Sequence, residues 1–316
     1  MQVRVVRKTH ETIDICSLEL VHPAGGALPS FSAGAHIDVH APGGLVRQYS
    51  LCNDPAESHR YLIGTLKDPK SRGGSRAIHD QVQVGDLLQI GLPRNNFALV
   101  ADAQYVILLA GGIGITPLLC MATQLAREGR SFEFHYCARS RDRAAFYEQI
   151  RVAPYAARVQ FHFDDGEPDQ MLKLEKVLAQ SAEGTHLYAC GPAGFLNHVR
   201  GNAQQSGCPE SCVHFESFGA VAMERTGDIS FEVKIASTGA TYRIPANTSV
   251  VTALAAHGVN IAVSCEQGIC GTCLTRILDG EPDHRDAYLT DEERARNDSF
   301  LPCCSRARSA LLTLDL

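Results

Sequence analysis

The pattern of polar and apolar positions changes character twice along the chain. From Val3 to about Pro93, short β-branched and apolar runs are separated by turn residues, which predicts an antiparallel barrel. Within it, His36-Ile-Asp-Val-His40 alternates, Pro42-Gly43-Gly44 supplies a turn, and Leu45 to Cys52 returns as the second half of a hairpin. The run Gln104-Tyr-Val-Ile-Leu-Leu-Ala110 is then almost wholly apolar, the pattern of a strand buried on both faces of a parallel sheet. Further strands are expected at Phe132 to Cys137, Val159 to Phe163 and His186 to Cys190. Helical stretches alternate with them near Ala144 to Ile150, Met171 to Gln180 and Ala193 to Gln204. Residues 219–228 lose all periodicity and read as a linker. Beyond it a hairpin is predicted from Phe231 to Ala236 and Thr241 to Ile244, followed by a helix capped by Thr248 or Ser249 and reaching His257. Thr290-Asp-Glu-Glu293 is a capping box for a second short helix, and Leu311 to Leu316 supplies a final strand. The chain therefore divides into residues 1–100, 101–222 and 229–316.

Composition narrows the class. The 316 residues are 45% hydrophobic and 20% charged, an ordinary soluble balance with enough apolar content for several cores. A net charge of -6 argues against nucleic acid as a partner, and no apolar run reaches the roughly 18 residues needed to span a membrane. Met1-Gln2-Val3-Arg4 leads into strand pattern with no apolar signal core, so the twelve cysteines read as cytoplasmic thiols, reduced or bound to metal.

Four of those cysteines carry the sharpest chemistry. Cys265, Cys270 and Cys273 stand in C-x4-C-x2-C spacing, with a fourth thiol at Cys303 or Cys304; this is the spacing of plant-type [2Fe–2S] clusters. Three ligands on one loop require sharp turns, which Gly268 and Gly271 permit. Zinc also accepts four thiolates, but its structural sites pair their ligands as C-x2-4-C twice. In the barrel segment, Arg47-Gln-Tyr49-Ser50 puts a guanidinium and a phenol on one strand face, suited to a phosphate and a flat ring. Ser71-Arg72-Gly73-Gly74-Ser75 precedes a short helical segment, where small residues let backbone amides converge on an anion; a plain surface loop is the alternative. After the strand ending at Ala110, the turn through Gly112, Gly114, Thr116 and Pro117 opens a helix with Thr116 as the expected cap, the context of a dinucleotide site. Tyr188-Ala-Cys190-Gly191-Pro192 ends a later strand, where such folds bind ligands, although a buried thiol is the commoner fate of cysteine.

The arginine-x-tyrosine-serine run and the glycine-serine loop resemble the flavin barrel of the ferredoxin–NADP reductase superfamily, and Cys190-Gly191-Pro192 resembles the motif that sets a nicotinamide against that flavin. The resemblance implies that Tyr49 and Ser50 line the isoalloxazine while Arg47, Gly74 and Ser75 hold the phosphate of FMN. Phe218 falls where the superfamily closes on the flavin ring, and reads equally as a core residue. Cys303-Cys304-Ser-Arg-Ala307 resembles the closing cysteine-x-serine-arginine-alanine of plant-type ferredoxins, which makes Cys303 the fourth ligand. In their order the parts resemble the phthalate dioxygenase reductase family across essentially the whole chain, with Gly280-Glu-Pro-Asp-His-Arg-Asp286 as a further match.

That resemblance implies a multi-domain protein: an antiparallel β-barrel flavin domain, an α/β parallel-sheet nucleotide domain and an α+β β-grasp plant-type ferredoxin domain. A nicotinamide gives up two electrons as hydride whereas a cluster accepts one, so a flavin between them reconciles the counts. The expected cofactors are FMN, a [2Fe–2S] cluster and NADH; Arg139-Ser140-Arg141 keeps NADPH open, because a 2′-phosphate wants arginine. No Rieske or 2-His-1-carboxylate ligand set is legible among the histidines, so oxygenation falls to a partner, an oxygenase component of the Rieske non-haem iron type. The alternatives are a stand-alone flavin and iron–sulfur reductase serving another carrier, and a non-catalytic redox or zinc-binding module.

Overall fold

A computed structural model describes residues 1–69, 73–179, 182–218, 228–263, 266, 268, 271–286 and 288–316. The chain forms two compact units, Met1–Phe218 and Gly219–Leu316. The expected linker lies outside the described residues except for Asp228, as do Ser71, Arg72, Cys265 and Cys270.

The first unit opens with strands β1 (Gln2–His10), β2 (Ile15–Val21), β3 (His36–Ala41), β4 (Leu45–Ser50), β5 (Tyr61–Leu66) and β6 (Leu87–Gln89), with helix α1 (Gly74–Gln81) between the last two. One antiparallel sheet runs β5-β2-β1-β6, and β3 pairs with β4. Bridges from Val39 to Ile90 and from Leu51 to Ile63 join the hairpin to the sheet edges and close the barrel. Closure leaves no unpaired edge inside, and the inward residues Val3, Val5, Leu18, Leu20, Ile37, Val39, Tyr61 and Ile63 fill it. The hairpin lies where its alternation placed it, with Arg47 paired to Val39 and Tyr49 to Ile37.

Five parallel strands follow: β7 (Tyr105–Gly111), β8 (Phe132–Ala138), β9 (Val159–Phe163), β10 (Thr185–Cys190) and β11 (Val213–Glu216), in the order β11-β10-β7-β8-β9. Helices α2 (Ile115–Arg127), α3 (Tyr147–Arg151), α4 (Leu174–Ala179) and α5 (Ala193–Gln205) connect them. Val106, Leu108 and Ala110 of β7 face the core shared with α2, while Ile107 and Leu109 face the core shared with α4 and α5, so the sheet is covered on both sides as its apolar run requires. The α2 core also takes in Ile15, Ala33 and Cys52 of the barrel, which is why barrel and sheet form one unit. Polar ties reinforce it: Arg143 pairs with Asp14 at 2.7 Å, and the Val100 amide donates to the Tyr188 hydroxyl at 2.8 Å.

Three expectations are corrected here. Thr116 does not cap α2: the helix starts at Ile115, two residues before the expected Pro117, after a single 3-10 turn through Gly112–Gly114, and the Thr116 hydroxyl donates back to the Ile113 carbonyl at 3.0 Å. The helix expected from Ala144 begins only at Tyr147, because Phe146 sits in the left-handed region at φ 61. β11, at the sheet edge, was not predicted as a strand at all.

The second unit carries β12 (Phe231–Ile235), β13 (Thr241–Ile244), helix α6 (Val250–Ala255), β14 (Thr275–Asp279), β15 (Pro282–Asp283), helix α7 (Asp291–Arg296), β16 (Ser299–Phe300), β17 (Arg306–Ala307) and β18 (Leu311–Leu314). Its mixed sheet runs β13-β12-β18-β14-β16, with β12 and β18 parallel, and α6 packs on it through Val250 and Leu254, a β-grasp arrangement. Ser249, not Thr248, caps α6 by accepting from the Thr252 amide at 3.1 Å. Thr290 and Glu293 form the expected capping box. Arg306, 4% exposed, donates to the carbonyls of Thr248, Ile229 and Pro245 and pairs with Asp228, so one buried guanidinium fastens the start of the unit to its middle. Among the described residues no helix is long and apolar enough to cross a membrane.

Candidate functional site

The barrel face of the site is assembled on the β4 strand and the start of α1. Arg47 lies directly over Gly74: a Cβ built there would come within 2.7 Å of the Arg47 Cγ and 2.9 Å of its Nε. The absence of a side chain at Gly74 leaves room for Arg47 to cross the helix start, so a cation and the positive end of an eight-residue helix face the same space. Ser75 Oγ, in the first turn, is buried without a hydrogen-bond partner among the described residues, as are Ser50 Oγ and Thr65 Oγ1. The Ser75 hydroxyl beside Arg47 and a helix N-terminus fits a phosphorylated polar ligand, because buried hydroxyls are otherwise satisfied, while Thr65 faces Tyr49 and Ser50 faces Glu216. Tyr49 presents its ring beside Thr65, and burial pushes its phenol well above the usual value.

The nucleotide face is built from backbone brought close by glycine. A side chain at Gly114 would overlap the carbonyl of Cys190, and one at Gly191 would reach within 2.8 Å of the Phe195 ring and 3.1 Å of the Gly111 Cα. The turn after β7 and the turn after β10 therefore touch main chain to main chain, leaving a flat surface at the carboxyl ends of neighbouring strands, the place where open α/β sheets bind ligands. Pro192 packs against the same contact and precedes α5 as its N-cap, while Gly112, at φ 54, has open space around it. Thr116, displaced from the cap, turns its methyl toward Gly64 of β5 and so joins the nucleotide half to the barrel.

The two faces meet at a residue that the sequence reading missed. Glu216 ends β11 in register with Cys190 of β10. Burial pushes its carboxyl up to about 8, and the nearby Ser50 hydroxyl pulls it only partly back. Burial, and then Glu216, raises the Cys190 thiol well above its ordinary value, so Cys190 is a neutral packing thiol at pH 7. Ser50 of the barrel, Cys190 and Glu216 of the sheet are thus neighbours. The signal available in the sequence was the alternation Val213-His-Phe-Glu216 ending in an acid at a strand terminus, too short to stand out. Phe218, just beyond, is 36% exposed, which excludes its reading as a core residue.

In the second unit Cys273 and Cys303 are buried and interact through their side chains. Contact with Cys273 lowers the Cys303 thiol, but Cys304 and burial outweigh it and push it up to about 12. Cys304 is also buried, its thiol in contact with Cys303, the Leu301 carbonyl at 3.6 Å and the Ser305 hydroxyl at 3.7 Å. Gly268 and Gly271 take positive φ, 74 and 69, as the sharp ligand loop required. A Cβ on Gly268 would meet the Cys304 Sγ at 2.5 Å, and one on Gly271 would overlap the Tyr288 ring. Buried thiols lining a loop that only glycine can follow form a donor set that fits a thiolate-bound metal cluster. Asp286 backs the loop, its buried carboxylate accepting from the Tyr288 and Leu289 amides at 3.1 and 2.8 Å and from Ser305 at 3.3 Å.

A barrel that fits a flavin, a doubly wound nucleotide-type sheet and a thiol-lined β-grasp unit together define a modular flavin and iron–sulfur oxidoreductase. Residues 233–308 match the 2Fe-2S iron-sulfur cluster binding domain family, which distinguishes the thiol set from a zinc site. The chain is 55% identical over 303 residues to a vanillate O-demethylase oxidoreductase of Pseudomonas sp. (strain HR199 / DSM 7063), spanning 96% of both chains. It is 40% identical over 317 residues to the phthalate dioxygenase reductase of Burkholderia cepacia, covering 100% of this chain and 97% of that one. The solved structure of a phthalate dioxygenase reductase, described as modular for electron transfer from pyridine nucleotides to [2Fe–2S], superposes with a TM-score of 0.79 at 40% identity, over 100% of this chain and 98% of that one. The chain belongs to the phthalate dioxygenase reductase family. It is a reductase component that carries electrons from a pyridine nucleotide through a flavin to a [2Fe–2S] cluster.

Proposed function

We propose that this chain is the reductase of a two-component aromatic O-demethylase or dioxygenase whose terminal component is of the Rieske non-haem iron type. The observation that carries the reading is the whole-chain similarity to a vanillate O-demethylase oxidoreductase and a phthalate dioxygenase reductase, and the meeting of Ser50 of the barrel with Cys190 and Glu216 of the sheet supports one shared site for flavin and nicotinamide. A flavin, when bound, would accept two electrons as one hydride and yield them one at a time. The work left to the chain is to hold, orient and keep dry.

Arg47 and the Gly74–Ser75 helix start are the groups to hold the phosphate of FMN, a single phosphate site with one guanidinium. Tyr49 supplies a flat face, and Ser50 a hydroxyl with an unused hydrogen-bonding capacity. The glycine contact between Gly114, Gly191 and Pro192 sets the plane against which a nicotinamide rests, with Gly112 and Thr116 bordering it. Glu216, kept protonated at pH 7 by burial, donates a hydrogen bond without placing a full negative charge there. Phe218 is exposed and available to cover a ring. Cys265, Cys270, Cys273 and Cys303 are the thiolates assigned to the cluster, and Cys304 is left to its carbonyl and hydroxyl partners. Similarity to a vanillate O-demethylase oxidoreductase points to methoxy-aromatic demethylation as the reaction fed by this reductase.

Purified protein is expected to show flavin absorbance, iron and labile sulfide, and NADH-driven reduction of cytochrome c. Combined with a Rieske-type O-demethylase terminal component, it should support NADH-dependent loss of the methyl group from vanillate. Absence of flavin, or failure to reduce cytochrome c, overturns the reductase reading; reduction of cytochrome c without support of any Rieske component overturns the partner assignment alone.

A further inference from the structure

Helix α1 is gripped at both ends, and by different chemistry. Its first turn carries no acid and no side-chain cap, and Arg47 crosses it at Gly74. Its last turn is met by Lys8 of β1, seventy positions upstream. The Lys8 ammonium donates to the carbonyls of His79 at 2.6 Å, Val82 at 2.8 Å and Ile78 at 3.3 Å. Its three donors thus meet carbonyls that the end of a helix leaves without internal partners. The other charge at this end is cancelled, since Asp80 is paired with Lys67 at 2.5 Å. The His79 imidazole is turned to the Thr65 carbonyl at 2.8 Å and the Cys16 thiol at 3.4 Å, a second tie between the helix end and the barrel. A helix carries about half a positive charge at its amino end and about half a negative one at its carboxyl end. An anion at the amino end of α1 is therefore attracted by the near pole and repelled by the far one, about 12 Å away along eight residues. Lys8 sits on the repelling pole and reverses its sign.

We propose that Lys8 is a positioning residue for the phosphate end of the flavin: by gripping and neutralising the carboxyl end of α1, it strengthens the hold of the amino end on a phosphate that Lys8 itself does not touch. Arg47 and Ser75 act at the phosphate, whereas Lys8 acts through the helix. With the lysine in place, the helix presents a net positive charge in place of a balanced dipole, and the field of a net charge falls off more slowly with distance. A flavin without a phosphate gives this field nothing to act on. The inference rests on the reading that Arg47 and the Gly74–Ser75 helix start hold the phosphate of FMN.

The test compares FMN with riboflavin, which has the same ring and no phosphate. The full-length chain is stripped of flavin and titrated with each, and quenching of flavin fluorescence gives the two Kd values. Wild type is expected to bind FMN more tightly. Lys8→Gln keeps hydrogen-bond donors without the charge; it should weaken FMN about fivefold or more and leave riboflavin within about twofold. Lys8→Met removes the donors as well and should weaken FMN at least as much. Lys8→Arg keeps the charge and should hold FMN within about twofold of wild type. Cooperative melting of each stripped chain shows that it is folded. A purely structural role would weaken both flavins together. Equal weakening of the two flavins, an unchanged Kd for FMN in both uncharged variants, or a loss in Lys8→Arg as large as in Lys8→Gln overturns the proposal. Wild type that binds riboflavin as tightly as FMN overturns the phosphate site on which the inference rests, and wild type that binds neither overturns the flavin reading itself.

Discussion

The two units solve the same problem, holding a redox group, with opposite means. In Met1–Phe218 the site is made of shape: glycines at 74, 114 and 191 let an arginine cross a helix start and let two strand-end turns touch. In Gly219–Leu316 the site is made of atoms: the buried thiols of Cys273, Cys303 and Cys304 beside a loop whose glycines hold positive φ. A shape-built site is supported by strands far apart in sequence and is lost by adding a methyl group. A ligand-built site is lost by removing one sulfur. The contrast teaches where each kind of substitution should hurt, and each prediction below separates the two units.

The largest effect is expected for Cys273→Ser. It should abolish cluster-dependent reduction of cytochrome c, by at least about a hundredfold, while leaving NADH-dependent ferricyanide reduction largely intact. Iron and labile sulfide report the loss directly. Collapse of both activities together would break the contrast. Next comes Gly114→Ala, whose methyl would overlap the Cys190 carbonyl; because the obstacle is backbone, relief needs movement of the strand-end turn. An overpacked site of this kind costs about 1–3 kcal/mol, and kcat/KM for NADH should fall by ten- to a hundredfold with the cluster spectrum unchanged.

Glu216→Gln should act in two directions. The folded carboxyl is raised to about 8 from an ordinary value of 4.5, so folding favours the protonated form. That contribution is full below about pH 4.5 and is lost as pH rises through 8; at pH 7 ionisation in the unfolded chain costs roughly 3 kcal/mol of stability. Glutamine removes the penalty. The variant should melt higher at pH 7 and its melting temperature should be flatter between pH 5 and 8, whereas hydride transfer from NADH should slow by about tenfold. A variant that melts at the same temperature as wild type throughout that range would show that the carboxyl is not held neutral. The smallest effect is expected for Cys304→Val. With the thiol spent on a carbonyl and a hydroxyl, its loss should leave iron content near that of wild type and move the cluster potential only slightly. Loss of the cluster in this variant, with its retention in Cys303→Ser, would transfer the ligand role.

The same contrast governs what could be read from the sequence. The ligand spacing from Cys265 to Cys273 was legible because the donors are side chains, although Cys265 and Cys270 lie outside the described residues. The Arg47 hairpin, the strand at Tyr105–Gly111 and the capping box at Thr290 were legible because periodicity and capping are local. Glu216 was not, since its strand is four residues long and its meaning comes from pairing with Cys190 across the sheet. The Thr116 cap was misread because a 3-10 turn between two glycines starts the helix without any side chain. The shortened third helix depends on one left-handed residue, Phe146, a conformation that its sequence neighbours do not signal. Arg306 stood in a quoted motif, but its three carbonyl partners lie 58 to 77 positions upstream. Contacts of that span have no local signature.

The approach of Gly268 to Cys304 has a consequence for how the protein is made. The loop thiols leave the ribosome first, and Cys304, which closes against Gly268, is synthesised 31 positions after Cys273. Arg306, which clasps the opening of the same unit, follows directly. A nascent chain halted before Leu301 presents bare thiols with nothing over them, open to oxidation or to the wrong metal. A chain truncated before Leu301 is therefore expected to load little iron, since the segment from Leu301 to Arg306 supplies the other side of the thiol pocket.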